Sequence, residues 1–227
     1  MPKFISIKEA VDLIPEGSTI MVGGFVGCGS PNELCKALGL SGKKHFTIIA
    51  NDGGCGAGYG GPVDDYYGNA WIIANHGADR VIMSHVGILP EIGEQSLKEG
   101  TLTVDLVPQG SLAEMVRAGG FGLGGVLTPT GVGTLVEESP FCLGKQTIDG
   151  KEYLLMKPIH ADFALIGGTK CDKAGNVWYK GTTRNFNPLM AMAADTVICE
   201  PEEIVEVGDI EPENMHVYGI CVDYVCK

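Results

Sequence analysis

The sequence has few basic residues and no long apolar run. Lys and Arg total 16 against 28 Asp and Glu, a net charge of -12. Nucleic acids and anionic membranes are bound through basic patches, so this balance argues against both as partners. A membrane-spanning helix needs about 18 consecutive apolar residues, and none occur. Charges at Lys3, Lys8, Glu9 and Asp12 interrupt any signal-peptide core. We therefore predict a cytoplasmic protein.

Several motifs of common chemistry are missing as well. The five histidines form no HExxH or His-x-His pattern, and the eight cysteines include no CxxC pair, so no metal site is predicted. The sequence contains neither a GxSxG turn nor a P-loop. We expect the cysteines to be reduced thiols, several of them buried.

Glycine is abundant, with 34 of 227 residues, and suits a sheet whose strands end in tight turns. The length fits one domain over residues 1–227. Predicted strands alternate with predicted helices, so we predict an α/β fold with a mixed, mostly parallel sheet flanked by helices. The predicted strands are 18–22, 45–50, 80–84, 102–107, 161–166, 196–199 and 220–225, and the predicted helices are 7–14, 91–98 and 111–118.

A β-hairpin is predicted around Asp149-Gly150, which separates segments 145–148 and 151–156. An Asp-Gly pair favours the left-handed backbone of a two-residue hairpin turn. We expect this antiparallel hairpin to join the main sheet.

A glycine-rich loop, residues 23–29, lies between a predicted strand and a predicted helix. Ser30 as N-cap, Pro31 and Glu33 together predict the start of that helix. Bare backbone N–H groups near a helix N-terminus favour a negatively charged ligand. The alternative is that the glycines only turn the chain.

Two segments, 56–61 and 120–125, match GxGxxG formally. A dinucleotide site needs this motif between a strand and a helix, and neither segment has that context. We therefore predict no nicotinamide cofactor.

Two neutral amides follow predicted strands. Gln109 and Asn51 lie where their strands end, at the edge where ligands of open α/β folds bind. Amide groups there would hold a carboxylate or a developing oxyanion without adding charge. The alternative, favoured for such residues in isolation, is that they only fix loop backbone.

Several of these segments resemble family I CoA-transferase A subunits. GSTIMVGGFVGCGSP at 17–31 is similar to the family's glycine signature, and VPQGSLAEMVRAGGFGLGGVLTPTGVGT at 107–134 to its second block. NFNPLMAMAA at 185–194 is a third match, and the likeness covers the chain in the same order. The nearest likeness is to bacterial acetate/butyrate:acetoacetate subunits.

The resemblance implies transfer of CoA between a short-chain acyl-CoA and a carboxylate by a ping-pong mechanism. The family's nucleophilic glutamate lies in a Ser-Glu-Asn-Gly motif on the B subunit, and this chain has no such motif. The resemblance therefore implies a B-subunit partner, in a heterotetramer, and no catalytic nucleophile here. It implies no cofactor, because CoA is a substrate.

The resemblance also assigns roles to residues. Gln109 and Asn51 correspond to the family's contacts to the substrate carboxylate or thioester oxyanion. The loop beside the substrate is represented by Gly23, Gly24, Phe25, Gly27 and Gly29. Two alternatives stay open: a CoA-ester hydrolase on the same fold, and a binding protein without catalysis.

Overall fold

The computed structural model describes residues 1–58 and 65–227. The strands are β1 (Lys3–Ile5), β2 (Thr19–Val22), β3 (Phe46–Ala50), β4 (Ala78–Met83), β5 (Thr103–Leu106), β6 (Val126–Thr128), β7 (Cys142–Ile148), β8 (Lys151–Met156), β9 (Ala161–Asp172), β10 (Val177–Trp178), β11 (Ala194–Val205) and β12 (Tyr224–Cys226). The helices are α1 (Ile7–Leu13), α2 (Asn32–Leu40), α3 (Ala70–Ala74), α4 (Pro90–Gly93), α5 (Gln109–Gly120) and α6 (Asn187–Ala191).

Over the described ranges, the main sheet contains nine strands. Eight of them pair in parallel in the order β1-β12-β11-β9-β2-β3-β4-β5, and β10 pairs antiparallel with β9. The chain runs outward from β2 through β3 and β4 to β5, and outward from β9 through β11 to β12. The direction of winding therefore changes between β2 and β9. The predicted α/β fold with a mostly parallel sheet is confirmed.

Both faces of this sheet are buried. In β2, Ile20 and Val22 belong to one apolar cluster, whereas Met21 belongs to the other. Successive side chains of a strand point to opposite faces, so the two clusters lie on the two sides of the sheet. Helices cover parallel sheets in this way because the crossover connections lie on the faces.

The predicted hairpin forms at Asp149-Gly150, but the prediction that it joins the main sheet is wrong. Strands β7 and β8 instead form a separate three-stranded antiparallel sheet with β6. The buried Leu154 and Met156 of β8 belong to the same apolar cluster as Met115 of α5. The apolar side chains of the hairpin are thus buried in the cluster that includes α5. In the described parts of the chain, its strands do not pair with the edge strands of the main sheet.

Several predicted boundaries need correction. Helix α2 begins at Asn32, with Pro31 at the N-cap, so Ser30 is not the predicted cap. The predicted helix 91–98 is a turn of α-helix followed by a π-helix, Glu94–Glu99. The predicted strand 220–225 is a 3-10 turn, Gly219–Cys221, followed by β12.

Other elements were missed or are longer than predicted. Strands β9 and β11 are longer than predicted. Each has 12 residues and continues past the predicted apolar strand into polar sequence. Patterns in the sequence did not reveal β1, β6, β10 or α3, which are short elements stabilised by tertiary contacts. The first GxGxxG match extends into residues 59–61, which lie outside the described ranges. Within the described residues, no helix combines the length and apolar character needed to cross a membrane.

Candidate active site

The carboxyl ends of several parallel strands meet at one edge of the main sheet. The glycine loop follows β2, Asn51 follows β3, and Gln109 begins α5 just after β5. Ligands of open α/β sheets bind at this edge, near the point where the winding changes direction. In this chain that point lies between β2 and β9.

The structure brings the two predicted amides into direct contact. Gln109 Nε2 donates a hydrogen bond of 2.7 Å to Asn51 Oδ1, although the residues are 58 positions apart. Asn51 is 0% exposed, whereas Gln109 is exposed at the sheet edge. Gln109 is therefore the amide that faces outward, and Asn51 supports it from behind. Their contacts with a substrate stay a prediction.

A third polar residue, Asp52, was missed at the sequence level. Its carboxylate is 3% exposed and accepts hydrogen bonds from Asn51 Nδ2 at 2.6 Å, Val26 N at 2.8 Å and Gly54 N at 2.8 Å. An Asp before Gly-Gly usually indicates an ordinary turn, so the sequence pattern alone did not single it out. In the fold this carboxylate joins the amide pair to the glycine loop.

The glycine loop contains a tight turn from Phe25 to Cys28. Phe25 N donates to Cys28 O at 3.1 Å, and Cys28 N donates to Phe25 O at 2.9 Å. Val26 and Gly27 have φ angles of 47° and 79°, which is the signature of a type I′ turn. A β-branched residue such as Val26 rarely adopts a positive φ, so this turn is a strained part of the site.

The turn presents Phe25 to solvent, with 41% of its surface exposed. Phe25 and Cys28 line a cavity of about 560 Å³ together with Thr182 and Asn185. Asn185 Nδ2 donates to Cys28 O at 2.8 Å and so ties the segment before α6 to the loop. An apolar side chain beside neutral polar groups suits a short acyl chain.

The loop glycines are tightly packed against the protein itself. A Cβ added to any of them would lie 1.9 to 2.6 Å from a neighbouring atom. The neighbours are Asn187 for Gly23, Ser30 for Gly24, Tyr67 for Gly27 and Thr183 for Gly29. Their small size is therefore required by the fold of the chain. Close approach of a substrate to these glycines stays a prediction.

A second cavity, of about 390 Å³, lies beside the loop where the winding changes direction. Among the described residues, three carboxylates line it: Glu33, Glu200 and Glu202. Burial raises the pKa of the Glu200 carboxyl, although hydrogen bonds from Leu34 N and Glu33 N oppose this. An anionic group would be repelled from this cavity.

The described ranges, 1–58 and 65–227, contain no group of three or more His, Cys, Asp or Glu arranged to hold a metal ion. All eight cysteines are free, and five of them are buried. Burial raises the pKa of the Cys35 and Cys55 thiols, so these two are poor nucleophiles.

A family model described as "Coenzyme A transferase" matches residues 4–227. The chain belongs to the coenzyme A transferase family.

Similar members of this family come from bacteria. The chain is 45% identical to the acetate CoA-transferase subunit alpha of Escherichia coli strain K12, over 98% of this chain and 96% of that one. It is 43% identical to the acetoacetyl-CoA:acetate/butyrate CoA transferase alpha subunit of Clostridium acetobutylicum, over 99% and 97%. The resemblance inferred from the glycine loop and the Gln109 block is confirmed.

A solved structure supports the coenzyme A transferase fold. An acyl-CoA transferase from E. coli O157:H7, crystallised as a thioester complex with CoA, superposes with a TM-score of 0.83 at 22% sequence identity. The alignment covers 99% of this chain and 47% of the other, so the chain spans about half the length of that structure. At this identity the likeness establishes the fold alone.

Proposed function

We propose that this chain is the A subunit of a heteromeric CoA-transferase that moves CoA between a short-chain acyl-CoA and acetate, butyrate or acetoacetate. The observation that carries the proposal is the 45% identity to an acetate CoA-transferase alpha subunit along nearly the full length of both chains. That relative is named as a subunit alpha, which favours a partner subunit. We further propose a heterotetramer and a cytoplasmic location.

The nucleophile in this proposal is a glutamate of the B subunit. Its carboxylate attacks the thioester carbonyl, which gives a mixed anhydride and releases the CoA thiolate. The thiolate then attacks the glutamyl carbonyl and displaces the first carboxylic acid, leaving an enzyme-CoA thioester. The second carboxylate reverses these two steps and departs as the new acyl-CoA. No cofactor is required.

The role proposed for Gln109 is to stabilise the oxygen that becomes negatively charged. One Nε2–H bonds to Asn51 Oδ1, which leaves the second Nε2–H and Oε1 at the exposed edge. A preorganised neutral donor stabilises an oxyanion without holding the anionic substrate too tightly. Phe25 is proposed to contact the acyl group, and the exposed Lys180 and Arg184 to face the CoA phosphates.

The test is an assay of this chain alone and together with the product of a neighbouring reading frame that carries Ser-Glu-Asn-Gly. We expect no transfer by the chain alone and transfer from butyryl-CoA to acetate after mixing. Release of free CoA in a mixture that lacks a second carboxylate would indicate a hydrolase. Binding of acyl-CoA without turnover, by chain and partner together, would indicate a non-catalytic protein.

In the active complex, Gln109→Ala is expected to lower kcat by a factor on the order of 10² to 10³, because an oxyanion donor is lost. Gln146→Ala is the matched control, because Gln146 is an exposed glutamine on β7. It should leave kcat unchanged. Near-normal turnover of the Gln109 variant would remove the proposed role.

A further inference from the structure

The carboxylate of Asp52 connects two parts of the site that are far apart in sequence. One of its oxygens, Oδ2, accepts from Val26 N in the strained turn and from Asn51 Nδ2. The other oxygen, Oδ1, accepts from Gly54 N. The side chain is 3% exposed, so water contributes little to satisfying it. All of its described partners are hydrogen-bond donors.

This carboxylate determines which way the neighbouring amides point. Both Asp52 oxygens accept from backbone N–H groups, so the Asn51 atom facing Oδ2 must be the NH₂ group. The oxygen of Asn51 then faces Gln109, and the Gln109 atom facing that oxygen must in turn be nitrogen. These hydrogen bonds thus define a single orientation for both amides.

We propose that Asp52 is a positioning residue that acts through Asn51 to hold the Gln109 amide in one orientation at the active site. This inference rests on the proposed function, because Gln109 is the group expected to contact the substrate. Asp52 itself is buried behind Asn51 and is not proposed to touch the substrate. The Asp52 carboxylate also accepts from Val26 N, so the same group contacts both the Phe25–Cys28 turn and the Asn51 amide that bonds to Gln109.

A double-mutant cycle in the assembled complex tests this inference. Asp52→Ala removes the acceptor and is expected to lower kcat about tenfold or more, with a smaller change in KM. In a Gln109→Ala background, the same change should alter kcat by less than about twofold, because the amide it orients is gone. Equal fold-losses in both backgrounds would overturn the inference.

The matched control is Asp172→Ala. Asp172 is 0% exposed and accepts from two backbone N–H groups, Ala174 N and Asn176 N, and from Asn176 Nδ2. Its hydrogen bonds resemble those of Asp52, but it is the last residue of β9, just before the turn to β10. The Asp172→Ala variant should lose thermal stability as Asp52→Ala does, while kcat of its remaining folded complex stays near normal. An equal fall in kcat for both variants would mean that lost stability explains the effect.

Conservative replacement provides a further variant. Asp52→Asn still presents one oxygen to Asn51 Nδ2, although its NH₂ group then faces Gly54 N. We expect it to recover part of the kcat lost in Asp52→Ala. If the Ala variant does not fold, the cycle with Gln109→Ala is run on the Asn variant and judged by the same criterion.

A second readout does not depend on transferase activity. In the isotope-labelled full chain, the Gln109 side-chain amide proton that bonds to Asn51 should be protected from hydrogen exchange, and Asp52→Ala should abolish this protection. Unchanged protection would overturn the inference even in an active enzyme. Loss of protection in a chain that shows no CoA transfer with its partner would instead leave the positioning intact and reject the proposed function.

Discussion

Glu200 shows how one side chain can complete an element far away in the sequence. Its carboxylate accepts from Glu33 N at 3.1 Å and from Leu34 N at 2.7 Å, at the start of α2. These residues are 166 and 167 positions from Glu200. A helix leaves its first N–H groups unpaired, and a carboxylate there also meets the positive end of the helix dipole. Glu200 thus caps the start of α2, a role that the sequence pattern predicted for Ser30.

Glu200 should make stability depend on pH. Because burial raises its pKa, the folded state binds its proton more tightly than the unfolded state does. The resulting stabilisation is present below about pH 4.5, the ordinary pKa, and is lost as pH rises through the higher folded pKa. In urea unfolding, the free energy of unfolding of wild type relative to Glu200→Gln should fall as the pH is raised over this range.

The control for this pH dependence is Glu203→Gln, because Glu203 lies on the same strand with an exposed side chain. Its stability difference from wild type should stay nearly constant over the same range. A wild-type advantage over Glu200→Gln that widens with rising pH would contradict the expected sign.

Gly23 tests the close packing of the loop. A Cβ at this position would lie 1.9 Å from Asn187 Oδ1, which accepts from Gly167 N at 3.0 Å. Gly23→Ala must displace the buried Asn187, so we expect the free energy of unfolding to fall by about 3 kcal/mol. Gly93→Ala is the control, because no atom of the described residues lies within 4 Å of its added Cβ. Similar urea midpoints for the two variants would refute the packing argument.

At the scale of elements, the hairpin is the part most directly specified by local sequence. Asp149 and Gly150 have φ angles of 50° and 77°, as a type I′ turn requires. The turn does not specify which sheet its two strands join. That depended on Leu154 and Met156, which are buried in the same apolar cluster as Met115 of α5.

Replacing the turn glycine should loosen the small sheet specifically. Gly150→Ala places a Cβ in the left-handed region and is expected to cost about 1 kcal/mol. Hydrogen exchange should accelerate in β7 and β8 more than in β2 or β9. Asp149→Asn is the control, because Asn adopts this conformation readily, and it should be nearly neutral. Equal acceleration in both sheets would show that the small sheet does not open separately.

At the scale of the whole molecule, the net charge of -12 produces self-repulsion in the compact state. Exposed ion pairs such as Lys8–Asp12 offset little of it. We therefore expect the melting temperature to rise when monovalent salt is increased from about 0.01 M to about 0.3 M, since screening weakens the repulsion. The measurement is thermal unfolding of the purified chain. A falling melting temperature would show that favourable ion pairs dominate.

The amino-acid sequence by itself determined the family and the fold class. Both follow from local sequence patterns, without any knowledge of tertiary contacts. These patterns are the glycine and proline turns, the apolar alternation and the sequence block around Gln109. They also placed Asn51 and Gln109 at the ends of parallel strands, because the period of a strand and the direction of its crossover follow from local backbone geometry.

Only the tertiary structure decided which groups touch. Asp52 faces Val26, Glu200 faces the start of α2, and Gly23 faces Asn187, because segments distant in the chain lie side by side in the fold. Such contacts depend on the order and register of the strands, which apolar patterns leave open. The orientation of the Gln109 amide is therefore a property of the assembled sheet edge, held by a carboxylate whose local sequence resembles that of an ordinary turn.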